Sequence, residues 1–225
     1  MRKPMKIKAI ITGATGMVGE GVLHECLAHP AVESVLLIVR RPTGRQHPKL
    51  REIVQGDFYD FSALEAELKG WNACYFCLGV SSVGMPAEAY KKVTCDLTMA
   101  LARPLARLNP DMTFCYVSGA GTDGSEKGRV RWARVKGMTE NQLFRLPFRQ
   151  AFMFRPGYLN PTPGLKNTYR IYRFFAPFYP LWNRLFPGYV STLRQLALAM
   201  INATLHGNEK PVLEVRDIRL LAGRE

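Results

Sequence analysis

The chain has 225 residues, 47% of them hydrophobic and 22% charged, a balance that excludes intrinsic disorder and a fibrous repeat. At about 150 residues per domain, one unit spanning residues 1–225 is expected. The formal net charge is +13, no apolar run approaches the ~18 residues of a membrane span, and no apolar signal segment follows the cationic start, so the expected location is cytoplasmic.

Residues 7–12 form a short apolar run ending in glycines, which predicts a buried strand. Residues 17–29 follow with helical spacing (Val18, Val22, Leu23, Cys26, Leu27) and stop before Pro30. Residues 34–39 predict a second strand, 52–54 a third, and 60–69 a short helix opened by Asp60. Residues 73–78 predict a fourth strand, and 86–108 a helix that Pro104 should kink. A fifth strand (112–117), a helix (132–146) and a sixth strand (151–154) come next. Strands apolar on both faces that alternate with helices imply an α/β fold, a doubly wound parallel sheet covered on each side. Beyond Arg155-Pro156-Gly157 the chain turns rich in proline and aromatics. Residues 158–190 are expected to form a small cap, followed by a helix near 191–205 and a strand near 212–215.

The five cysteines are an odd number in a chain too long to need stapling, so free thiols are expected. Cys74 and Cys77 resemble a redox pair, but three apart on a strand they point to opposite faces and cannot meet. The four histidines have no metal-ligand spacing to one another or to a cysteine, so no metal site is expected.

Between the first strand and the first helix lies Gly13-Ala14-Thr15-Gly16-Met17-Val18-Gly19, a G-x-x-G-x-x-G pattern. Glycines there let the backbone turn tightly against a pyrophosphate, and a helix N-terminus offers unpaired N–H groups and a positive dipole. Gly13, Thr15, Gly16, Met17, Val18 and Gly19 are therefore candidate dinucleotide contacts. An NAD site usually wants an acid at the tip of the second strand. Glu33 lies at the wrong end of that strand, and the tip carries Arg40 and Arg41. Two guanidiniums suit a 2′-phosphate, so NADP is expected in preference to NAD.

The glycine pattern, with Gly56-Asp57-Phe58 after the third strand, Cys77-Leu78-Gly79-Val80-Ser81 after the fourth and Val117-Ser118-Gly119-Ala120 after the fifth, resembles the short-chain dehydrogenase/reductase superfamily. It looks closest to the atypical branch of epimerase/dehydratase-like proteins and is similar to the Tat-interacting-protein group. The likeness runs from about Lys6 to Tyr158. It implies Asp57 at the adenine, Leu78 and Gly79 along the dinucleotide and Gly157 near the nicotinamide, with Phe58 and Pro156 also among the cofactor contacts. The family's chemistry uses a Ser and a Y-x-x-x-K pair, whose lysine lowers the phenol's pKa and holds a ribose. Ser118 and Lys136 match the serine and the lysine, and the tyrosine position holds Trp132. An indole N–H donates a hydrogen bond but does not exchange a proton in water's range. Three readings stay open: redox chemistry with another acid (Tyr158, Tyr116 or Tyr90), NADP binding without turnover as a sensor or scaffold, or Trp132 packing on the ring while Lys136 grips ribose.

The stretch from Glu140 to Glu209 contains no intervening acid, eight cations and fourteen of the chain's twenty-four aromatics. Ser81, Tyr158, Arg170 and Arg173, together with Tyr169, Tyr172 and Trp182, are candidates to face a small anionic or aromatic substrate. The same stretch also suits peripheral contact with an anionic membrane. No nucleic-acid reading motif accompanies the charge, so no such partner is expected. An oligomer remains open.

Overall fold

The computed structural model describes residues 5–168 and 176–224. β1 (Ile7–Thr12), α1 (Met17–Ala28), β2 (Val32–Val39) and β3 (Leu50–Val54) open the chain. The expected 60–69 helix is shorter and split into a 3-10 turn, Ser62–Leu64, and α2 (Glu65–Leu68). β4 (Ala73–Phe76) leads to α3 (Ala87–Lys91), a π turn over Lys92–Asp96 and α4 (Leu97–Leu108). The helix thus runs through Pro104 to Leu108, and its irregularity falls upstream. Next come β5 (Thr113–Val117), α5 (Arg131–Phe144), β6 (Gln150–Arg155) and β7 (Tyr158–Asn160). The end of the chain supplies α6 (Tyr179–Leu185), β8 (Val190–Thr192), α7 (Leu193–His206), β9 (Val212–Glu214) and α8 (Val215–Ala222).

The main sheet has the order β3-β2-β1-β4-β5-β6-β9, and every adjacent pair is parallel. β1 is central, buried at every position but Lys8, as a strand covered by helices on both faces requires. On one face α1, α7 and α8 contribute to a core with Ile11, Leu37, Tyr75 and Leu213. On the other, α4 and α5 pack over Ile10, Leu36, Phe76 and Phe114. Cys74 belongs to one core and Cys77 to the other, and all five cysteines are free and buried. The strand order turns back between β1 and β4, and in open α/β sheets such a switch point leaves a crevice at the carboxyl ends of the strands.

The sequence reading missed α8 and the two-stranded parallel sheet β7–β8. Among the described residues no helix is long and apolar enough to cross a membrane.

Candidate functional site

The loop after β1 fits its neighbours only without side chains. Gly13 has φ +75°, and a Cβ there would stand 2.7 Å from the Cys77 carbonyl carbon and 2.9 Å from the Leu78 nitrogen, so the loop lies directly against the end of β4. A Cβ on Gly19 would stand 2.3 Å from the Gly13 oxygen, which fixes the first turn of α1 against the same loop. Gly16 caps α1 without a side-chain acceptor, and its N–H donates to Gly13 O at 2.9 Å.

Beside this loop is a cleft of about 220 Å³ that brings together Gly13, Thr15, Gly16, Arg40, Phe58, Leu78 and Gly79. Residues from α4 and the preceding π turn, Leu97 and Val93, close it; a helix reading assigns them only to a core face. Arg41, Asp57, Met17 and Val18 do not line it. Met17 is buried, and Asp57 is exposed and accepts from Tyr59 N at 2.8 Å. Among the described residues Arg40 and Arg41 have no ion pair. Glu33 pairs with Lys8 at 3.6 Å, at the opposite end of the sheet. Glycine positions that a Cβ would fill, an open cleft and an unpaired guanidinium at its edge together fit a bound dinucleotide.

At the end of β5, Ser118 and Lys136 meet. Lys136 Nζ donates to the carbonyls of Ser118 at 3.0 Å and Val117 at 3.4 Å, and lies 5.5 Å above the Tyr116 ring. Burial brings the ammonium down to about 8, against the opposing charge of Glu140 one turn on. Thr122, unforeseen from the sequence, donates its hydroxyl to Gly119 O at 2.7 Å and lies 2.9 Å from Ser118 Oγ. Its proton is committed, so Ser118 is the donor of that pair and keeps lone pairs to accept from a ligand.

Trp132 sits on the first turn of α5. Its ring is 3.9 Å from where a Cβ of Gly119 would stand and 3.7 Å from that of Gly121. Among the described residues its indole N–H has no hydrogen bond. The loop that carries these glycines is held to α5 by Asp123 N donating to Ala133 O at 3.1 Å. Two of the alternative acids are removed by burial: Tyr116 is 1% and Tyr90 2% exposed, and desolvation pushes both phenols up.

Glu140, also missed, is buried on α5 and accepts from Arg155 Nε at 3.0 Å and Nη2 at 2.5 Å, while Arg155 Nη1 reaches Glu214 at 3.2 Å. Only folding brings β6, α5 and β9 together, so spacing along the chain gives no sign of it. A further buried carboxylate, Glu20, pairs with Arg45 and accepts from Asn167 N at 2.6 Å, tying the 161–168 loop to α1.

Several other candidates do not line the cleft. Pro156 O accepts from Ala120 N at 2.9 Å, beside Ser118, and a Cβ on Gly157 would stand 2.2 Å from Tyr189 O, so packing requires a glycine there. Ser81 is exposed and accepts from Val83 N at 3.3 Å. Tyr158 stacks edge-on against Trp182 at 5.3 Å. Tyr169, Arg170, Tyr172 and Arg173 lie outside the described residues. No group of His, Cys, Asp or Glu among the described residues could hold a metal.

The chain is 30% identical over 151 residues, 66% of each chain, to "Protein fmp52-2, mitochondrial" of Aspergillus oryzae. It is 28% identical over 152 residues to "Protein HTATIP2" of Rattus norvegicus, 66% of this chain and 61% of that one. These matches thus span just under two thirds of the relatives' own length. Among solved structures, the Bordetella bronchiseptica enzyme WbmF in complex with NAD+ shares the fold, with a TM-score of 0.66 over 98% of this chain and 78% of that one at 14% identity. The fungal relatives correct the expected cytoplasmic location: those from Aspergillus oryzae, Chaetomium globosum and Scheffersomyces stipitis are mitochondrial proteins. Net charge does not distinguish these addresses. Residues 9–134, more than half of the chain, match the NAD dependent epimerase/dehydratase family, and the chain belongs to it.

Proposed function

We propose that the chain binds NADP(H) in the cleft at the glycine loop and acts as an oxidoreductase or epimerase on a small anionic or aromatic substrate, with Trp132 in place of the family's tyrosine. The observation that carries this reading is the meeting of Ser118 and Lys136 at the carboxyl end of β5, with Lys136 Nζ 3.0 Å from the Ser118 carbonyl. Gly13, Thr15, Gly16 and Gly19 cradle the diphosphate, Arg40 takes the 2′-phosphate, and Leu78 and Gly79 line the way to the nicotinamide end. The dinucleotide supplies hydride transfer when bound. Ser118 accepts a hydrogen bond from a substrate hydroxyl. Lys136, brought down to about 8, carries a proton that is exchangeable near neutrality, the task Trp132 cannot perform.

The cofactor preference is tested by fluorescence titration. NADPH is expected to bind, and Arg40→Ala to weaken it about tenfold or more, as befits a lost charge-assisted hydrogen bond, while NADH binding stays unchanged. An equal loss for both nucleotides would remove the 2′-phosphate assignment, and binding of neither would remove the enzyme reading.

A second reading is favoured by the indole N–H of Trp132, which has no hydrogen bond among the described residues: a non-catalytic NADP(H) sensor. Screening carbonyl substrates with the wild type and with Trp132→Tyr separates the two. Turnover by the wild type rejects the sensor. Turnover by Trp132→Tyr alone, by about a hundredfold or more as expected for a restored general acid, supports it.

A further inference from the structure

The cleft at the glycine loop and the Ser118–Lys136 pair leave one feature of the cap unused. Between residues 178 and 189 five large side chains stand in solvent: Phe178 is 48%, Leu181 54%, Leu185 57%, Phe186 54% and Tyr189 71% exposed. No residue of α6 is buried. Leu181 and Leu185, four apart on that helix, share one face.

This row is held in place. Arg219 of α8 donates to Asn183 Oδ1 at 2.5 Å and to the carbonyls of Pro187 and Val190, both at 3.3 Å. Tyr158 N donates to Tyr189 O at 3.0 Å. An apolar row pinned outward at its middle and its far end marks a contact surface, because scattered exposed apolar residues need no such anchoring.

The charge around it has one sign. From residue 141 to residue 208 there is no acid. Arg184 projects from α6 itself and is exposed. The Arg216 guanidinium of α8 lies 3.1 Å from where a Cβ of Gly188 would stand. The carboxylates on neighbouring β9 and α8 are already engaged, Glu214 by Arg155 and Asp217 by Lys210. A second copy of this face would set arginine against arginine with no free carboxylate to answer it. An anionic bilayer answers both halves: its hydrocarbon boundary takes Phe and Leu, and its phosphates take guanidinium groups. We propose that the 178–189 face of the cap docks on a membrane surface bearing anionic lipid.

The test is flotation of the full chain with vesicles of phosphatidylcholine and phosphatidylserine at about three to one, against phosphatidylcholine alone, at low salt. The chain is expected to float with the anionic vesicles only, and to be released at about 0.5 M salt, where the Debye length falls to a few ångströms. Leu181→Ser with Phe186→Ser is expected to cut the bound fraction about tenfold. Arg184→Gln with Arg216→Gln should cut it as well, whereas Val54→Ser should leave it alone, because that side chain, 52% exposed, lies on β3 at the opposite edge of the sheet. Circular dichroism melting of each variant establishes that it folds, and the two independent pairs keep the test decisive if one does not. Absence of flotation at low salt, flotation equal on neutral vesicles, or binding unaffected by both pairs would overturn the proposal. Self-association in sedimentation that the Leu181/Phe186 pair abolishes, without flotation, would overturn it in favour of a second copy.

Discussion

Replacing Arg155 by Met is expected to destabilise the protein by about 3–5 kcal/mol, the range for removing one partner of a buried ion pair. The Glu140 side chain is 1% exposed, and Arg155 holds both of its oxygens. Without the guanidinium that carboxylate is buried and, among the described residues, has no hydrogen-bond donor. Urea denaturation checks the loss, and the double variant Arg155→Met with Glu140→Leu should recover much of it, because the penalty belongs to the charge left alone. A single-variant loss below about 1 kcal/mol would show that the pair behaves as a solvated surface bridge.

The same carboxylate acts on Lys136. Burial lowers that ammonium to about 8 and Glu140 works against the fall, so Glu140→Gln should lower it further. Titration of the Lys136 amine, followed by NMR, should then move below about 8. The sign for stability follows. A lysine depressed in the folded state binds protons more weakly there than in the unfolded chain, so its contribution improves as pH rises from about 8 toward the ordinary 10.5.

Gly19→Ala is expected to abolish dinucleotide binding and to cost about 1–3 kcal/mol of stability, as overpacking does. The added carbon would stand 2.3 Å from Gly13 O and 2.4 Å from Gly13 C, so α1 and the loop must part. Gly16→Ala separates the two effects. A Cβ there meets only Gly13 O at 3.4 Å, and the backbone, at φ −107°, accepts it. Stability should stay within about 0.5 kcal/mol while NADPH binding falls, because that bare position lines the cleft. Retained NADPH binding by both variants would show that no diphosphate sits on this loop.

By itself the sequence determined the strands of the main sheet, the parallel α/β class and the glycine loop. Each is written in neighbouring residues: a run apolar on both faces such as 73–76, helical spacing such as Val18–Val22, and glycines at fixed offsets between them. It also located Ser118 and Lys136, because one ends a strand and the other sits on the helix that follows. Tertiary structure decided what depends on contacts between distant segments. β7 and β8 are three residues each, too short to show a period, and they exist because they pair with each other. Glu140 joins Arg155 and Glu20 joins Arg45 only once helices and loops are packed, and a lone acid in a helix looks the same in sequence whether it is buried or solvated. The same physics decided among the tyrosines: Tyr116 and Tyr90 carry identical phenols in the sequence, and only the core built around them withholds their protons.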